Sequence, residues 1–328
     1  MTIKTSIILC ASLALASASL ITECVAADTP AVAPPTAAGT TWTTLGTNSG
    51  PIPKATRSEP ANLLRSGGQT ILVDVGDGAA EQLAKAGVPI GAVQTLFISH
   101  HHFDHTGGLF ALLGMRYQIL TPGVLAIYGP PGTKELVDGL IAAMKPMAKN
   151  VSVRARQSPE EAVRVVEIGD GSKVMVGAVA VMAASNSHYT ISPGSAEAAK
   201  FVSLSFRFDA PDRSIVYTGD TGPSENVERL ARGADLLVSE IMDPGAALAS
   251  LKAARPDLPP SVLTQIEQHF RTEHLAPDEV GKLAERSGVK ALVLTHNPID
   301  SSGIACATKA IMTHYKGPIT FAADLDKF

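Results

Sequence analysis

The sequence predicts an α/β protein in which buried sheets are covered by helices. Three observations indicate this class. From Thr40 onward, short β-type runs alternate with helical ones, 45% of all residues are hydrophobic, and 28 glycines and 22 prolines separate the runs. Such alternation is typical of sheets packed under helices and not of disordered or fibrous chains. The 328 residues allow one large domain or two fused halves.

The predicted elements follow one another along this region. Helices are predicted at 79–86, 133–149 and 278–286 from helical composition and from the Gly and Pro residues that bound them. The segment 244–270 contains several prolines and is either a wall of the functional site or a solvent-facing helical insertion. The predicted strands are 70–75, 95–99, 163–168, 174–183, 201–208, 214–218, 236–239 and 289–295.

The N-terminal region predicts a secretory signal. Lys4 precedes an uncharged apolar run, and small residues precede Ala27, so we expect a signal peptide over 1–27 and a linker rich in Ala, Pro and Thr over 28–39. The remaining residues, 40–328, would then form the functional domain of a periplasmic or secreted protein.

Two alternatives to cleavage stay open. An uncleaved anchor would leave the chain in the membrane, although the apolar run is shorter than the ~20 residues that a spanning helix needs. A lipid anchor on Cys24 is weaker, because Glu23 stands where a small residue is required. With cleavage, we expect no stable membrane association.

Charge and cysteine content limit the partners and the crosslinks. The formal net charge is −4 and no long Lys/Arg run occurs, so we expect no nucleic-acid partner. With Cys10 and Cys24 in the predicted signal, Cys306 is left alone, which excludes a disulfide in the mature chain. We expect Cys306 to be a small buried residue. The sequence leaves open whether the chain forms a homodimer.

A cluster of histidines follows the predicted strand at 95–99. His100 and His102 are two residues apart, so on an extended strand end both imidazoles point to one side and can bind one ion. Asp104 and His105 follow on a turn and can serve a second ion. His101 points the other way and is not expected to act directly. The cluster predicts a metal site.

Three more candidate ligands stand just after other predicted strands. They are His188, Asp220 and His296. Side chains at the ends of neighbouring strands point from a rigid scaffold into a shared crevice. His269 and His314 follow no such pattern and are interpreted as surface residues. Lys54, Arg57 and Tyr189 can approach the site, but nothing in the sequence places them there.

The ordered motifs resemble the metallo-β-lactamase superfamily from about residue 44 to about residue 297. The string from His100 to His105 resembles its H-x-H-x-D-H motif, and Asp74 resembles its orienting aspartate. The resemblance implies a four-layer αββα sandwich with two mixed sheets. It also implies two Zn²⁺ ions per chain, held by His100, His102, Asp104, His105, His188, Asp220 and His296, with Asp220 bridging them.

The segment Thr272–Leu275 resembles the ribonuclease Z and arylsulfatase branch of this superfamily. The resemblance implies that His274 is catalytic and binds no metal, and that it assists a hydroxide shared by the two ions. Asp104 is expected to be catalytic as well as a ligand. The short stretch between His188 and Asp220 leaves no room for the arm with which ribonuclease Z grips transfer RNA.

The expected function is therefore that of a secreted zinc hydrolase of small anionic esters. An arylsulfatase is expected first and a phosphodiesterase next. A lactonase or β-lactamase on the same metals is the nearest alternative. An iron-dependent oxidoreductase is an alternative of another class, because its ligand set overlaps with this one.

Overall fold

The computed structural model, which describes residues 39–148, 157–189, 191, 195, 197 and 199–328, places two mixed β-sheets face to face between layers of helices. This arrangement confirms the predicted α/β class and the four-layer αββα sandwich. The described residues lie within one compact unit, Ala37–Phe328.

The first sheet has six strands in sequence order. The two pairs from β1 to β3 are antiparallel, and the pairs from β3 to β6 are parallel. The strands are β1 (Thr41–Gly46), β2 (Ala61–Ser66), β3 (Gln69–Val75), β4 (Thr95–Phe97), β5 (Leu125–Gly129) and β6 (Val163–Glu167).

The second sheet has seven strands and runs from β13 back to β7 in space. Its pairs from β7 to β10 are antiparallel, and those from β10 to β13 are parallel. The strands are β7 (Lys173–Val176), β8 (Val179–Ser185), β9 (Leu204–Asp209), β10 (Ser214–Tyr217), β11 (Leu236–Glu240), β12 (Leu292–Thr295) and β13 (Ile319–Phe321).

Helices cover the outer face of each sheet. The facing sides of the two sheets bury a shared core that includes Trp42, Phe97 and Phe208. A second core lies between the first sheet and α1, α3 and α4, and a third between the second sheet and α5, α8 and α9. The helices are α1 (Ala79–Lys85), α2 (Phe103–Thr106), α3 (Leu109–Gln118), α4 (Thr133–Ala148), α5 (Glu225–Ala231), α6 (Pro244–Ala254), α7 (Pro260–Thr272), α8 (Pro277–Ser287) and α9 (Ile304–Ile311).

One predicted strand differs from the observed structure for a local reason, and the segment left open at 244–270 is helical. The single strand predicted at 174–183 is a hairpin of β7 and β8, because Gly177 adopts a φ of 58° and turns the chain back within two residues. The segment 244–270 forms most of α6 and α7, each of which begins with a proline in its first turn.

The predicted signal peptide (1–27) and almost all of the predicted linker (28–39) lie outside the described residues. Export therefore stays a prediction. Among the helices that the structure describes, none combines the length and the apolar character needed to cross a membrane.

Candidate metal centre

The candidate ligands meet at one edge of the sandwich, where strands of both sheets end. His100 follows β4, and Asp220 and His296 follow β10 and β12, which lie on either side of β11. His188 lies just beyond the end of β8. Because buried strands fix these positions, side chains distant in sequence are brought together without a flexible loop having to order.

A first group of donor atoms consists of His100, His102, His188 and Asp220. Nδ1 of His102 lies 3.1 Å from Nε2 of His100 and 3.1 Å from Nε2 of His188. Oδ2 of Asp220 lies 3.8 Å from Nε2 of His100 and 4.0 Å from Nε2 of His188. Three imidazoles and one carboxylate thus converge on a single point, with His102 as the exposed member.

A second group consists of Asp104, His105, His296 and, again, Asp220. Nε2 of His105 lies 3.3 Å from Oδ1 of Asp220 and 3.6 Å from Oδ2 of Asp104. Nε2 of His296 lies 3.3 Å from Oδ2 of each aspartate. Asp220 belongs to both groups, so its carboxylate lies between the two sets of donor atoms.

The donor set fits metal ions. Nε2 of His105 and Oδ1 of Asp220 are buried and have no hydrogen-bond partner. An unpaired buried polar atom costs about 1–3 kcal/mol, so both atoms call for a ligand. Within each group the donor atoms lie within 4.8 Å of one another, and mixed imidazole and carboxylate donors suit zinc and related transition metals.

The protonation states of the carboxylates and of the first group suit metal binding. Burial opposes ionisation of Asp220 and Asp104, but the neighbouring imidazoles hold the pKa of Asp220 well below its usual range and lower that of Asp104 to about 2. Burial lowers the pKa of His100 well below its usual value and that of His188 to about 3. Ionised carboxylates and neutral imidazoles are the forms that bind a cation.

In the second group, burial also opposes a charged imidazole, but the neighbouring carboxylates outweigh it. They raise the pKa of His105 well above its usual value and that of His296 to about 9. A metal ion there would therefore displace protons.

Asp74 orients the cluster from behind. Its carboxylate accepts hydrogen bonds from the backbone N–H of Ser99 at 2.7 Å, from Nδ1 of His105 at 2.8 Å and from the hydroxyl of Tyr217 at 2.8 Å. Asp74 is fully buried and has a φ of 57°, a left-handed conformation that few non-glycine residues adopt. The bond to Nδ1 directs Nε2 of His105 toward the second group.

Backbone and hydroxyl groups orient two other rings. Nδ1 of His188 donates to the carbonyl of Glu273 at 3.0 Å, and Nδ1 of His100 lies 3.0 Å from the hydroxyl of Ser99. His101 points away, with Nε2 2.9 Å from Oγ1 of Thr133. His101 therefore fastens the motif to the start of α4 and belongs to neither donor group.

His274 lies beside the second group and forms a buried pair with Glu240. Nδ1 of His274 and Oε2 of Glu240 share a hydrogen bond of 2.7 Å, and the other Glu240 oxygen accepts from the backbone N–H of Thr221 at 2.6 Å. Burial raises the pKa of Glu240 well above its usual range and lowers that of His274 to about 3. Nε2 of His274 is left free of this bond.

A family model described as a β-lactamase superfamily domain matches residues 69–297, which include all seven candidate ligands. The chain belongs to the metallo-β-lactamase superfamily. It is therefore a metal-dependent hydrolase.

Relatives within this superfamily are named ribonuclease Z. The protein of that name from Mycobacterium avium (strain 104) is 33% identical over 258 residues, which cover 77% of this chain and 84% of the relative. That from Mycobacterium marinum is 29% identical over 291 residues, which cover 87% and 96%.

Solved structures share the metallo-β-lactamase fold. The fold protein YhfI from Bacillus subtilis has a TM-score of 0.62 at 18% identity and covers 88% of this chain and 98% of its own. The short form of human tRNase Z has a TM-score of 0.59 at 23% identity with the same coverage.

These relatives correct the function expected from the sequence. They are named for a nuclease, so the expectation of a secreted arylsulfatase acting on small anionic esters is wrong, and so is the expectation of no nucleic-acid partner. The names of these relatives also speak against the lactonase, β-lactamase and iron oxidoreductase alternatives. The same set of metal ligands can support attack of water on sulfate, phosphate and carboxylate esters, so the motifs could not identify the substrate.

Two interpretations of single residues are also wrong. Cys306 is exposed because it lies on the outer side of α9. His269 is not an ordinary surface residue, since its ring centroid lies 5.4 Å from that of His274. His314 is a partly exposed residue paired with Glu285, as a surface position would be.

Of the three residues that the sequence could not place, Tyr189 borders the centre, and Lys54 and Arg57 contact the backbone just after His296. The ring of Tyr189 lies 5.1 Å from that of His188 and 5.5 Å from that of His102. Arg57 donates to the carbonyl of Asn297 at 2.7 Å, and Nζ of Lys54 lies 3.5 Å from the carbonyl of the next residue. Both cations thus stand beside the segment that carries His296.

Glu240 is the residue that sequence reasoning missed. It is the last residue of β11, next to β10 and β12, whose ends carry Asp220 and His296. The sequence feature that could have identified it is its position, because Glu240 is an acidic residue at the end of a strand that begins with three apolar residues.

Proposed function

We propose that this chain is a metal-dependent phosphodiesterase that cleaves RNA. The observation that carries the proposal is the position of Asp220 between two donor groups, with the His274–Glu240 pair beside them. This arrangement suits attack of water on a phosphodiester, and relatives about one third identical to the chain carry the name ribonuclease Z.

We further propose that the two donor groups hold two zinc ions. His100, His102 and His188 would hold one ion, and Asp104, His105 and His296 the other, with Asp220 shared. When bound, paired zinc ions supply a water of lowered pKa and positive charge for the phosphoryl oxygens.

The His274–Glu240 pair is suited to deliver a proton to the leaving oxygen. The raised pKa of Glu240 keeps a proton within this pair. With that proton on Oε2, Glu240 donates to Nδ1 of His274, and the ring carries its own hydrogen on Nε2. The ring can then transfer the Nε2 hydrogen to the leaving oxygen, while Glu240 transfers its own proton to Nδ1.

Local charge favours a polyanionic strand although the net charge of the chain is −4. Lys54 and Arg57 lie beside the segment that follows His296. Cations at this edge of the centre can contact phosphates that flank the scissile one. Overall charge was therefore a poor guide to the partner.

The test is cleavage of an end-labelled RNA by the zinc-loaded protein. If water is the nucleophile and the 3′-oxygen is the leaving group, cleavage leaves a 3′-hydroxyl and a 5′-phosphate, and it persists when the 2′-hydroxyl at the scissile nucleotide is methylated. A precursor transfer RNA and an unstructured RNA should both be tried, because the two donor groups do not select between RNA shapes.

The matched control is Asp220→Ala prepared in the same way, which should leave the RNA intact and so exclude a contaminating nuclease. Intact RNA after incubation with the zinc-loaded wild type would overturn the proposal.

A further inference from the structure

The hairpin of α6 and α7 borders the metal centre at its C-terminal end. The carbonyl of Glu273, the residue after α7, accepts the hydrogen bond from Nδ1 of His188 at 3.0 Å. This bond fixes the last turn of α7 against a ligand of the first donor group. Side chains on that turn are therefore held in place over the centre.

His269 is the side chain on that turn that faces the centre. Its ring centroid lies 5.9 Å from that of His188 and 5.4 Å from that of His274. Its Nδ1 is paired with Oε2 of Glu273 at 2.9 Å, so Nε2 is the nitrogen left for a ligand. Phe270 supports the ring from one side, with centroids 5.7 Å apart.

His269 stands outside the metal positions. Its side chain is 34% exposed, whereas that of His274 is 5% exposed. None of the donor groups found among the described residues includes it. Its ring is nevertheless close enough to the rings of His188 and His274 to act on the exposed side of the centre.

We propose that His269 binds the phosphate group next to the scissile one on the RNA strand. The proposal rests on the proposed RNA phosphodiesterase function. Ions bound at the two donor groups would hold one phosphate, and RNA carries another on the adjacent nucleotide, one step further from the metals. A protonated imidazole donates from both nitrogens, here to Glu273 and to a phosphate oxygen of the neighbouring nucleotide.

The position explains why His269 would select polynucleotides over single esters. A substrate with one phosphodiester, such as bis(p-nitrophenyl) phosphate, fills the metal centre but has no neighbouring phosphate to offer. His269 is thus a residue for substrate binding and specificity, and it holds no metal.

The experiment compares KM and kcat of wild type and His269→Ala on a short RNA and on bis(p-nitrophenyl) phosphate. Loss of a hydrogen bond to a charged group should raise KM for RNA about tenfold. KM for the single ester and kcat for both substrates should stay near the wild-type values. His269→Lys, which keeps a cation at the position, should recover most of the RNA affinity.

His314→Ala is the matched control. His314 is paired with Glu285 and has a side-chain exposure of 32%, close to that of His269. It should leave both substrates unaffected. Equal changes of His269→Ala on the two substrates, or no change on RNA, would overturn the assignment of His269 while leaving the proposed function intact. Failure of the wild type to cleave RNA would overturn both.

Discussion

Nδ1 of His274 lies 2.7 Å from Oε2 of Glu240, and both side chains are almost completely buried beside the second donor group. The carboxyl group of Glu240 at this distance fixes the ring and leaves Nε2 free to face a leaving oxygen. His274→Ala should lower kcat by roughly 10²–10⁴-fold, the usual contribution of a positioned acid.

Metal content separates this role from that of a ligand. His274→Ala should keep the zinc of the wild type, measured by mass spectrometry of the purified protein. Glu240→Gln should also lower kcat, because the amide cannot exchange a proton with Nδ1. Loss of metal from His274→Ala would show that the ring is a ligand and not a proton donor.

Asp74 is expected to stabilise the fold itself. Replacement by Asn leaves fewer acceptor atoms for the backbone of Ser99, the ring of His105 and the hydroxyl of Tyr217, all of which are buried. Breaking such a buried network costs about 3–5 kcal/mol of unfolding free energy.

Urea unfolding in the presence of a chelator measures this cost apart from metal binding. The control is Asp170→Asn, an exposed aspartate that also accepts a backbone hydrogen bond, from Ser185. A surface change of this kind should stay within about 0.5 kcal/mol. Similar losses of unfolding free energy for the two substitutions would contradict the orienting role of Asp74.

Gly50 sets the position of Asp104. A methyl group at Gly50 would overlap the carboxylate of Asp104, so Gly50→Ala must displace a donor of the second group. We expect the variant to bind close to one zinc ion per chain and to lose most of its turnover. Gly114→Ala in α3 is the control, because a methyl group there meets open space. Two tightly bound ions in Gly50→Ala would contradict this prediction.

Acid should destabilise the metal-free protein through His188. Its pKa is about 3 in the folded protein and 6.5 in the unfolded chain. The unfolded state therefore binds more protons between these values, and the stability present above pH 6.5 is lost as the pH falls toward 3.

The contribution of one such histidine is at most about 1.4 kcal/mol per pH unit. Chelator-treated His188→Gln should therefore lose less unfolding free energy than the wild type between about pH 6.5 and pH 5, the upper part of this window. Parallel stability curves for the two proteins would count against a neutral, buried His188.

The fold and the cluster of ligands could be predicted because both depend on local signals. An apolar run that stops just before His100, Asp220 or His296 predicts the end of a strand, and the ends of the strands in such sheets lie close together. The hairpin at Gly177 shows the limit of this reasoning, since one glycine divided what looked like a single strand.

Contacts between distant segments could not be predicted. Glu240 ends β11 and His274 lies just before α8, so the two residues meet only when the chain has folded. His269 is held near the centre because the carbonyl of Glu273 is hydrogen-bonded to His188. The substrate was beyond reach for a chemical reason, since the same ligands serve sulfate and phosphate esters.

We propose that Asp220 is shared by two metal positions, and the zinc content of the purified protein and of Asp220→Asn, after dialysis against a metal-free buffer, tests this role most directly. We expect two ions per chain in the wild type and a loss at both positions in the variant. A wild type without stoichiometric metal, or a variant that keeps both ions, would rule out the shared position.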